Sequence, residues 1–160
     1  MIYSFDVGIK NFGIYIESES NEPLFLDNID ISPYNLKNLF THLKPILDEY
    51  KLKTALIEKQ LAVNKKAIVV SAHLEALLYL YCKNCEIIFV NSKKKLYLTE
   101  CKNLAYRARK KMAVLSASDY LKTSIFDNGP LLLKKLETFK KKDDICDAIC
   151  QLNFYKKNQT

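Results

Sequence analysis

Apolar residues recur at every second position near the start of the chain, at Tyr3, Phe5 and Val7, and a second apolar run covers residues 12–16. A short turn containing glycine separates the two runs, and this arrangement predicts a β-hairpin. Asp6 lies on the other face of the first run, which it shares with Ile2. Burying a carboxylate in a central strand is costly unless a cation or hydrogen-bond donors accompany it. Asp6 is therefore the first residue that packing alone does not explain.

The rest of the chain alternates between short apolar runs and apolar residues at helical spacing. The short runs predict three further strands, and the helical spacing predicts five helices, the first starting near Ser32 and Pro33 and either kinked or ended early by Pro45. Three strands followed by alternating helices and strands indicate one α/β domain over residues 1–160, with a five-stranded mixed sheet and helices on both faces. The predicted strands cover residues 23–29, 53–59 and 86–90, and the predicted later helices cover residues 65–83, 103–121, 131–135 and 142–155, with a turn at 127–130.

The net charge of the chain indicates what kind of partner it could bind. The 160 residues carry a net charge of +7, and the basic residues are concentrated in residues 93–111 and 140–142. Such runs are often solvated helix faces, but an excess of positive charge also favours a polyanionic partner. No apolar stretch is long enough to span a membrane, and no signal peptide is visible. Five cysteines, an odd number, indicate reduced thiols; Cys82 and Cys85 have the spacing of a zinc site, although buried thiols are the favoured interpretation.

Four acids occupy positions that suit a metal site. Asp6 and Glu58 end two predicted central strands, while Asp144 and Asp147 are three residues apart and share one face of the last helix. Asp143 and its neighbours could instead cap that helix or complement its dipole. Hard divalent cations prefer carboxylate oxygens, and two Mg²⁺ ions can activate water and stabilise the leaving oxygen in phosphodiester hydrolysis. The basic runs would then hold a nucleic-acid backbone.

Four motifs carry a resemblance to a known family. They are Phe-Asp-Val-Gly-Ile-Lys-Asn at residues 5–11, Leu-Ile-Glu-Lys-Gln at 56–60, Ala-Tyr-Arg-Ala-Arg-Lys-Lys at 105–111 and Lys-Asp-Asp-Ile-Cys-Asp at 142–147. In this order they resemble the poxvirus Holliday junction resolvases, in the RuvC-like branch of the RNase H-like nucleases. The resemblance implies an RNase H-like fold and a metal-dependent endonuclease that nicks DNA four-way junctions symmetrically, resolving branched or concatemeric viral DNA.

The resemblance also implies roles for particular residues. Asp6, Glu58, Asp144 and Asp147 would be the catalytic metal ligands for two Mg²⁺ ions, which Mn²⁺ could replace. Lys111, or its neighbour Lys110, would match the catalytic lysine that offsets charge on the scissile phosphate. The implied partners are branched DNA and a second copy of the chain, without a membrane or a small-molecule cofactor, and the implied location is the host cytoplasm. The expected DNA-binding residues are Lys10, Gln60, Arg107, Arg109 and Lys110.

Three other functions are compatible with parts of the pattern. A related RNase H-like nuclease could act on other branched DNA or on RNA–DNA hybrids, because the acids indicate metal chemistry more clearly than substrate. An actin-like or sugar-kinase ATPase also opens with an Asp-x-Gly hairpin, but the chain's three glycines are too few for its phosphate loops. A module that binds branched DNA without cutting it is disfavoured, since four acids without a metal would repel DNA.

Overall fold

The computed structural model describes residues 1–91 and 106–159, with the side chain of Tyr106 left out. These residues form five strands and five helices, numbered here in chain order. The elements are β1 (Ile2–Asp6), β2 (Phe12–Glu17), β3 (Pro23–Ile29), α1 (Leu36–Glu49), β4 (Thr54–Lys59), α2 (Lys65–Tyr81), β5 (Glu86–Asn91), α3 (Tyr106–Lys122), α4 (Asn128–Thr138) and α5 (Asp143–Lys157).

The strands form one five-stranded mixed sheet, as the sequence predicts, and their order in it is β3-β2-β1-β4-β5. β1 is central: it pairs antiparallel with β2 and parallel with β4, and β4 pairs parallel with β5. The carboxyl ends of β1, β4 and β5 therefore lie at the same edge of the sheet. In open α/β sheets this edge is where ligands bind.

Alternation along β1 and β4 divides the core between the two faces of the sheet. Tyr3, Phe5 and Ile57 pack on the face covered by α1 and α2, whereas Leu56 packs on the opposite face with α3, α4 and α5. Because side chains point alternately to the two faces, Asp6 faces α5, on the side opposite to Phe5. The prediction of helices on both faces of a five-stranded sheet is confirmed.

Helix α1 differs from the sequence prediction at both ends. It begins at Leu36 rather than near Ser32, because the side chain of Asn35 caps it by accepting a hydrogen bond from the Asn38 amide at 2.8 Å. It also continues past Pro45 to Glu49, so the expected early end is wrong. The turn after the proline is held by burial of its apolar residues and by the Tyr3 hydroxyl, 3.1 Å from the Ile46 carbonyl.

Two further differences concern the second half of the chain. The predicted turn at residues 127–130 is wrong for its last three positions, which begin α4. Pro130 lies in the first turn of that helix, where a missing backbone N–H costs no hydrogen bond. The predicted start of α3 at residue 103 lies outside the described residues, as does the basic run from 93 to 105.

The sequence predicts reduced, buried cysteines and no membrane-spanning helix, and the described residues bear on both predictions. Cys82, Cys85, Cys146 and Cys150 are all free thiols, and Cys85, Cys146 and Cys150 are buried. Packing is therefore the role that the structure supports for these three. Across the described part of the chain, no helix has both the length and the apolar character needed to cross a membrane.

Candidate functional site

Asp6 and Glu58 end two neighbouring parallel strands at the same edge of the sheet. Phe5 of β1 is paired with Ile57 of β4, so the next residue on each strand, Asp6 and Glu58, follows at the same level. Asp6 is buried and Glu58 is half-buried. The sheet thus brings together two acids that are 52 positions apart in the chain.

Both carboxylates lie on the face of the sheet that α5 covers. Ser4, two residues before Asp6, accepts a hydrogen bond at 3.1 Å from the Gln151 side chain of α5. Leu56, two residues before Glu58, packs in the α5 core, and its carbonyl accepts a second hydrogen bond from Gln151 at 3.2 Å. Residues two apart on a strand share a face, so Asp6 and Glu58 face the same helix.

Helix α5 presents its acids on the face that it turns to these strands. Asp144, Asp147 and Gln151 are spaced by three and four residues and therefore share one side of the helix. The backbone of Asp144 lies directly over Gly13, where a Cβ atom would come within 2.5 Å of the Asp144 carbonyl oxygen. Gly13 is the partner of Asp6 in the β1–β2 ladder. The close approach at Gly13 therefore brings the start of α5 next to Asp6.

The ammonium group of Lys110 lies among the carboxylates of α5. Its Nζ is 2.8 Å from Asp143 Oδ2, 3.5 Å from Asp147 Oδ2 and 3.8 Å from Asp144 Oδ1. Lys141 adds a second cation, with its Nζ 3.3 Å from Asp144 Oδ2. Asp143 is the first residue of α5 and contacts Lys110 instead of capping the helix, so its interpretation as an N-cap is wrong.

Burial and charge act in opposite directions on these groups. Burial would lower the pKa of Lys110, but the carboxylates of Asp147, Asp143 and Asp144 outweigh it and raise that pKa. Burial would raise the pKa of Asp143, but the hydrogen bond and charge of Lys110 outweigh it and the pKa is lowered. Burial, reinforced by the negative charge of Asp143, raises the pKa of Asp144. Of the two neighbouring acids, Asp143 and Asp144, it is therefore Asp144 whose negative charge a further cation would stabilise more.

Asp144 carries one buried carboxylate oxygen of the kind that binds a divalent metal. Asp144 Oδ2 is buried and accepts no hydrogen bond, although the Lys141 ammonium is nearby. Carboxylate oxygens are the ligands that Mg²⁺ and Mn²⁺ prefer. Within residues 1–91 and 106–159, no three His, Cys, Asp or Glu side chains form a group that could hold an ion in the arrangement described. Lys110 instead supplies positive charge among the aspartates of α5.

The other predicted residues lie in the turn after β1, directly after β4 and on α3. Lys10 is exposed in the turn after β1, and Gln60 is half-buried directly after β4. Arg107 is exposed near the start of α3, and Arg109 is half-buried with an Nε that is buried and makes no hydrogen bond within the described chain. Lys111 is exposed. Of the two lysines considered from the sequence, the structure brings Lys110 to the aspartates.

Sequence reasoning missed two buried polar groups that position α5. One is Gln151, which joins α5 to β1 and β4. The other is Glu17, fully buried at the opposite edge of the sheet, which accepts hydrogen bonds from Tyr15 at 2.8 Å and Tyr120 at 2.7 Å and pairs with Lys156. These partners come from distant parts of the chain, so no local pattern could reveal them.

The protein-family comparison identifies the chain. A family model described as "Poxvirus A22 protein" matches residues 1–155. The chain belongs to this family. The resemblance inferred from the four motifs is thereby confirmed. The solved structures that this chain resembles include that of the fowlpox virus Holliday junction resolvase.

Individual relatives agree with the fold. The structure of fowlpox virus resolvase with substrate Holliday junction DNA superposes with a TM-score of 0.70 at 20% identity, covering 99% of both chains. The structure of Thermus thermophilus RuvC with a Holliday junction substrate gives a TM-score of 0.61 at 12% identity, covering 98% of this chain and 94% of the other. The fold is RuvC-like and RNase H-like.

A curated relative is more similar in sequence but covers less of the chain. "Uncharacterized protein 170L" of Invertebrate iridescent virus 6 is 30% identical over 126 residues. The match covers 62% of this chain and 48% of that relative, so it spans about half of the relative's length.

Proposed function

We propose that this protein is a Holliday junction resolvase: a metal-dependent endonuclease that nicks two strands of a DNA four-way junction symmetrically. The observation that carries the proposal is the opposition of two strand-end acids, Asp6 and Glu58, to an α5 face bearing Asp144 and Asp147, on a fold shared with junction-bound resolvases. From the family resemblance we also infer that the protein acts in the host cytoplasm, on replicating viral DNA.

The four acids have complementary tasks in this mechanism. Asp6, Glu58, Asp144 and Asp147 would hold two Mg²⁺ ions, which supply an activated water and stabilise the departing oxygen. The strands and α5 keep the carboxylates in place, since Gln151 and the close contact at Gly13 join the helix to β1 and β2. Burial at the sheet edge excludes water around Asp6 and Asp147, which strengthens their interaction with a cation.

Lys110 takes the role of the catalytic lysine. Its ammonium is already at the carboxylates and lies at the rim of the cluster, 24% exposed, where a phosphate oxygen could approach. There it would donate a hydrogen bond to a non-bridging oxygen, whose negative charge grows as the bond to the leaving group breaks. Lys111, which is exposed on another side of α3, would contribute to backbone binding instead.

DNA binding and dimerisation complete the proposal. Lys10 and Gln60, which follow β1 and β4, and Arg107 and Arg109, which precede Lys110 on α3, would contact the phosphate backbone beside the cleaved bond. A homodimer would offer two such sites to a substrate with two-fold symmetry. The exposed apolar residues of α2 make this helix the proposed dimer element, and light scattering of the purified protein tests the dimer. These residues are Ile68, Val69, Tyr79 and Leu80.

A cleavage assay on a synthetic four-way junction tests the proposal. Each strand is labelled in turn and incubated with protein in Mg²⁺, in Mn²⁺ and in EDTA, beside plain duplex and an RNA–DNA hybrid. Paired symmetric nicks in the junction alone, absent in EDTA, are expected. Cutting of the hybrid would support the alternative, a related RNase H-like nuclease with another substrate, and tight junction binding without cutting would leave only a binding module.

The Asp6→Asn variant separates chemistry from binding. We expect it to lose cutting and to bind the junction as well as the natural protein or more tightly, because one negative charge near the phosphates is removed. Gel-shift titration and the cleavage assay measure the two effects on the same preparation. Loss of binding together with cutting would make Asp6 a structural residue.

A further inference from the structure

Asp143 is a fifth acid at the site, and the mechanism above gives it no task. It is the first residue of α5, and its Oδ2 is 2.8 Å from Lys110 Nζ, closer than the carboxylates of the other two α5 acids. The contacts of the same ammonium with Asp147 and Asp144 are 3.5 and 3.8 Å long. Within this set, only the Asp143 contact has the length of an ordinary hydrogen bond between charged groups.

The three α5 acids differ in depth. The side chains of Asp143, Asp144 and Asp147 are 22%, 16% and 9% exposed, so Asp143 lies at the rim and Asp147 lies deepest. The closest contact of Lys110 is therefore with the outermost carboxylate. The ammonium thus lies closest to the rim carboxylate, at longer distances of 3.5 and 3.8 Å from the Asp147 and Asp144 oxygen atoms that would bind a metal.

Lys110 and a metal ion compete for the same carboxylates. An ammonium that moved inward to Asp144 and Asp147 would occupy the lone pairs that a cation needs, and a bound cation would repel the ammonium in turn. Catalysis by the proposed mechanism needs both positive groups at once, the metals on the acids and the ammonium on the phosphate. A separate carboxylate at the rim resolves this conflict.

We propose that Asp143 is a positioning residue that holds the Lys110 ammonium at the rim of the Asp144–Asp147 pair, so that the pair stays open to metal. The inference rests on the proposed function, because it takes Asp144 and Asp147 as metal ligands. It assigns Asp143 neither to the ligand set nor to the reacting atoms. Its effect on the metal must therefore pass through Lys110.

A double-mutant cycle, measured by calorimetric titration of Mn²⁺ into the metal-free protein, tests whether Asp143 affects metal binding through Lys110. The four proteins are the natural chain, Asp143→Asn, Lys110→Met and the double variant. We expect Asp143→Asn alone to weaken Mn²⁺ binding about fivefold, because Lys110 then moves onto Asp144 and Asp147, and we expect less than a twofold effect of the same change when Lys110 is already Met. Asp119→Asn, the same change at an exposed site on α3, is the matched control and should leave binding unaltered.

The remaining outcomes overturn the inference. An equal loss of affinity with and without Lys110 would mean that Asp143 acts directly, as a ligand or as a charge, and an unchanged affinity with a lowered melting temperature would give it only a structural role. Failure of the natural protein itself to bind Mn²⁺ would overturn the metal site of the proposed function, which is a different result from binding without coupling. Circular dichroism on all four proteins verifies that each is folded.

Discussion

Replacing Gly13 by alanine should shift α5, and with it Asp144 and Asp147, without altering the chemistry of any residue of the proposed site. The new Cβ would lie 2.5 Å from the Asp144 carbonyl oxygen and 2.7 Å from its carbonyl carbon, whereas ordinary contacts start near 3.4 Å. These are backbone atoms of α5, so no flexible side chain can turn aside. The first turn of the helix must therefore shift by about 0.9 Å away from β2.

The expected consequence is larger for activity than for stability. Forcing one methyl group into packed structure typically costs about 1–3 kcal/mol of unfolding free energy, which a domain of ordinary stability tolerates. A displacement of roughly 1 Å in a catalytic group can reduce a rate by about 100-fold. Single-turnover cleavage of a four-way junction, corrected for the folded fraction from a urea titration, measures the loss of rate separately from the loss of stability.

Gly129→Ala is the matched control for this substitution. A Cβ at Gly129 would also meet backbone at 2.5 Å, the Leu121 carbonyl oxygen, but at the junction of α3 and α4, which contributes no acid to the site. It should lose comparable stability and keep its cleavage rate per folded molecule. If Gly13→Ala cleaved at the natural rate, or if both variants lost the same activity, the placement of Asp144 by the contact at Gly13 would be refuted.

Other substitutions address Gln151, the two lysines and Asp144. Gln151→Leu should lower the unfolding free energy by about 2–4 kcal/mol, because its hydrogen bonds to β1 and β4 are buried; a loss below about 0.5 kcal/mol in urea denaturation would contradict this. Lys110→Met should slow cleavage about 100-fold and Lys111→Met only a few-fold, and the reverse order would transfer the catalytic role to Lys111. Asp144→Asn should stabilise the metal-free protein at neutral pH, since burial raises the pKa of this carboxyl above its usual 3.8 and the fold penalises its charge. The gain in stability should disappear as the pH falls through the raised pKa, because the natural carboxyl is then protonated. The Mn²⁺ affinity of the natural protein should fall over the same pH range. Thermal melts in EDTA that showed the gain at every pH would exclude the buried charge as its cause.

The sequence predicts the sheet and the positions of the acids well, for a local reason. Strand alternation and helical spacing are properties of neighbouring residues, so Asp6 at a strand end and Asp144 and Asp147 on one helix face follow from spacing alone. The rule that parallel strands end at the same edge brings Asp6 and Glu58 together, whereas the placement of α5 over that edge depends on long-range contacts such as those of Gln151. The end of α1 could not be predicted this way, because the Tyr3 hydroxyl that binds its last turn is more than 40 residues away in the chain.

The choice between Lys110 and Lys111 shows where local spacing stops being sufficient. Adjacent residues on a helix point about 100° apart, and the basic run places charge on every side of α3. What selects the lysine is the buried stripe of Ala113, Ala117 and Leu121, each fully inaccessible to solvent. Lys110 is three residues before this stripe and shares its side, whereas Lys111 does not. Because alanine is only weakly hydrophobic, the hydrophobic pattern of the sequence does not reveal this stripe.

The hydrogen bond between Gln151 and Ser4 joins residues 147 positions apart. A ribosome makes β1 well before α5, so the central strand must wait until 147 further residues have been made before its partner emerges. The acids of β1 and α5 meet only at that point. A chain released before α5 is made therefore has no assembled site, and under the proposed function DNA would be exposed to this nuclease only after α5 has been made and has packed on the sheet.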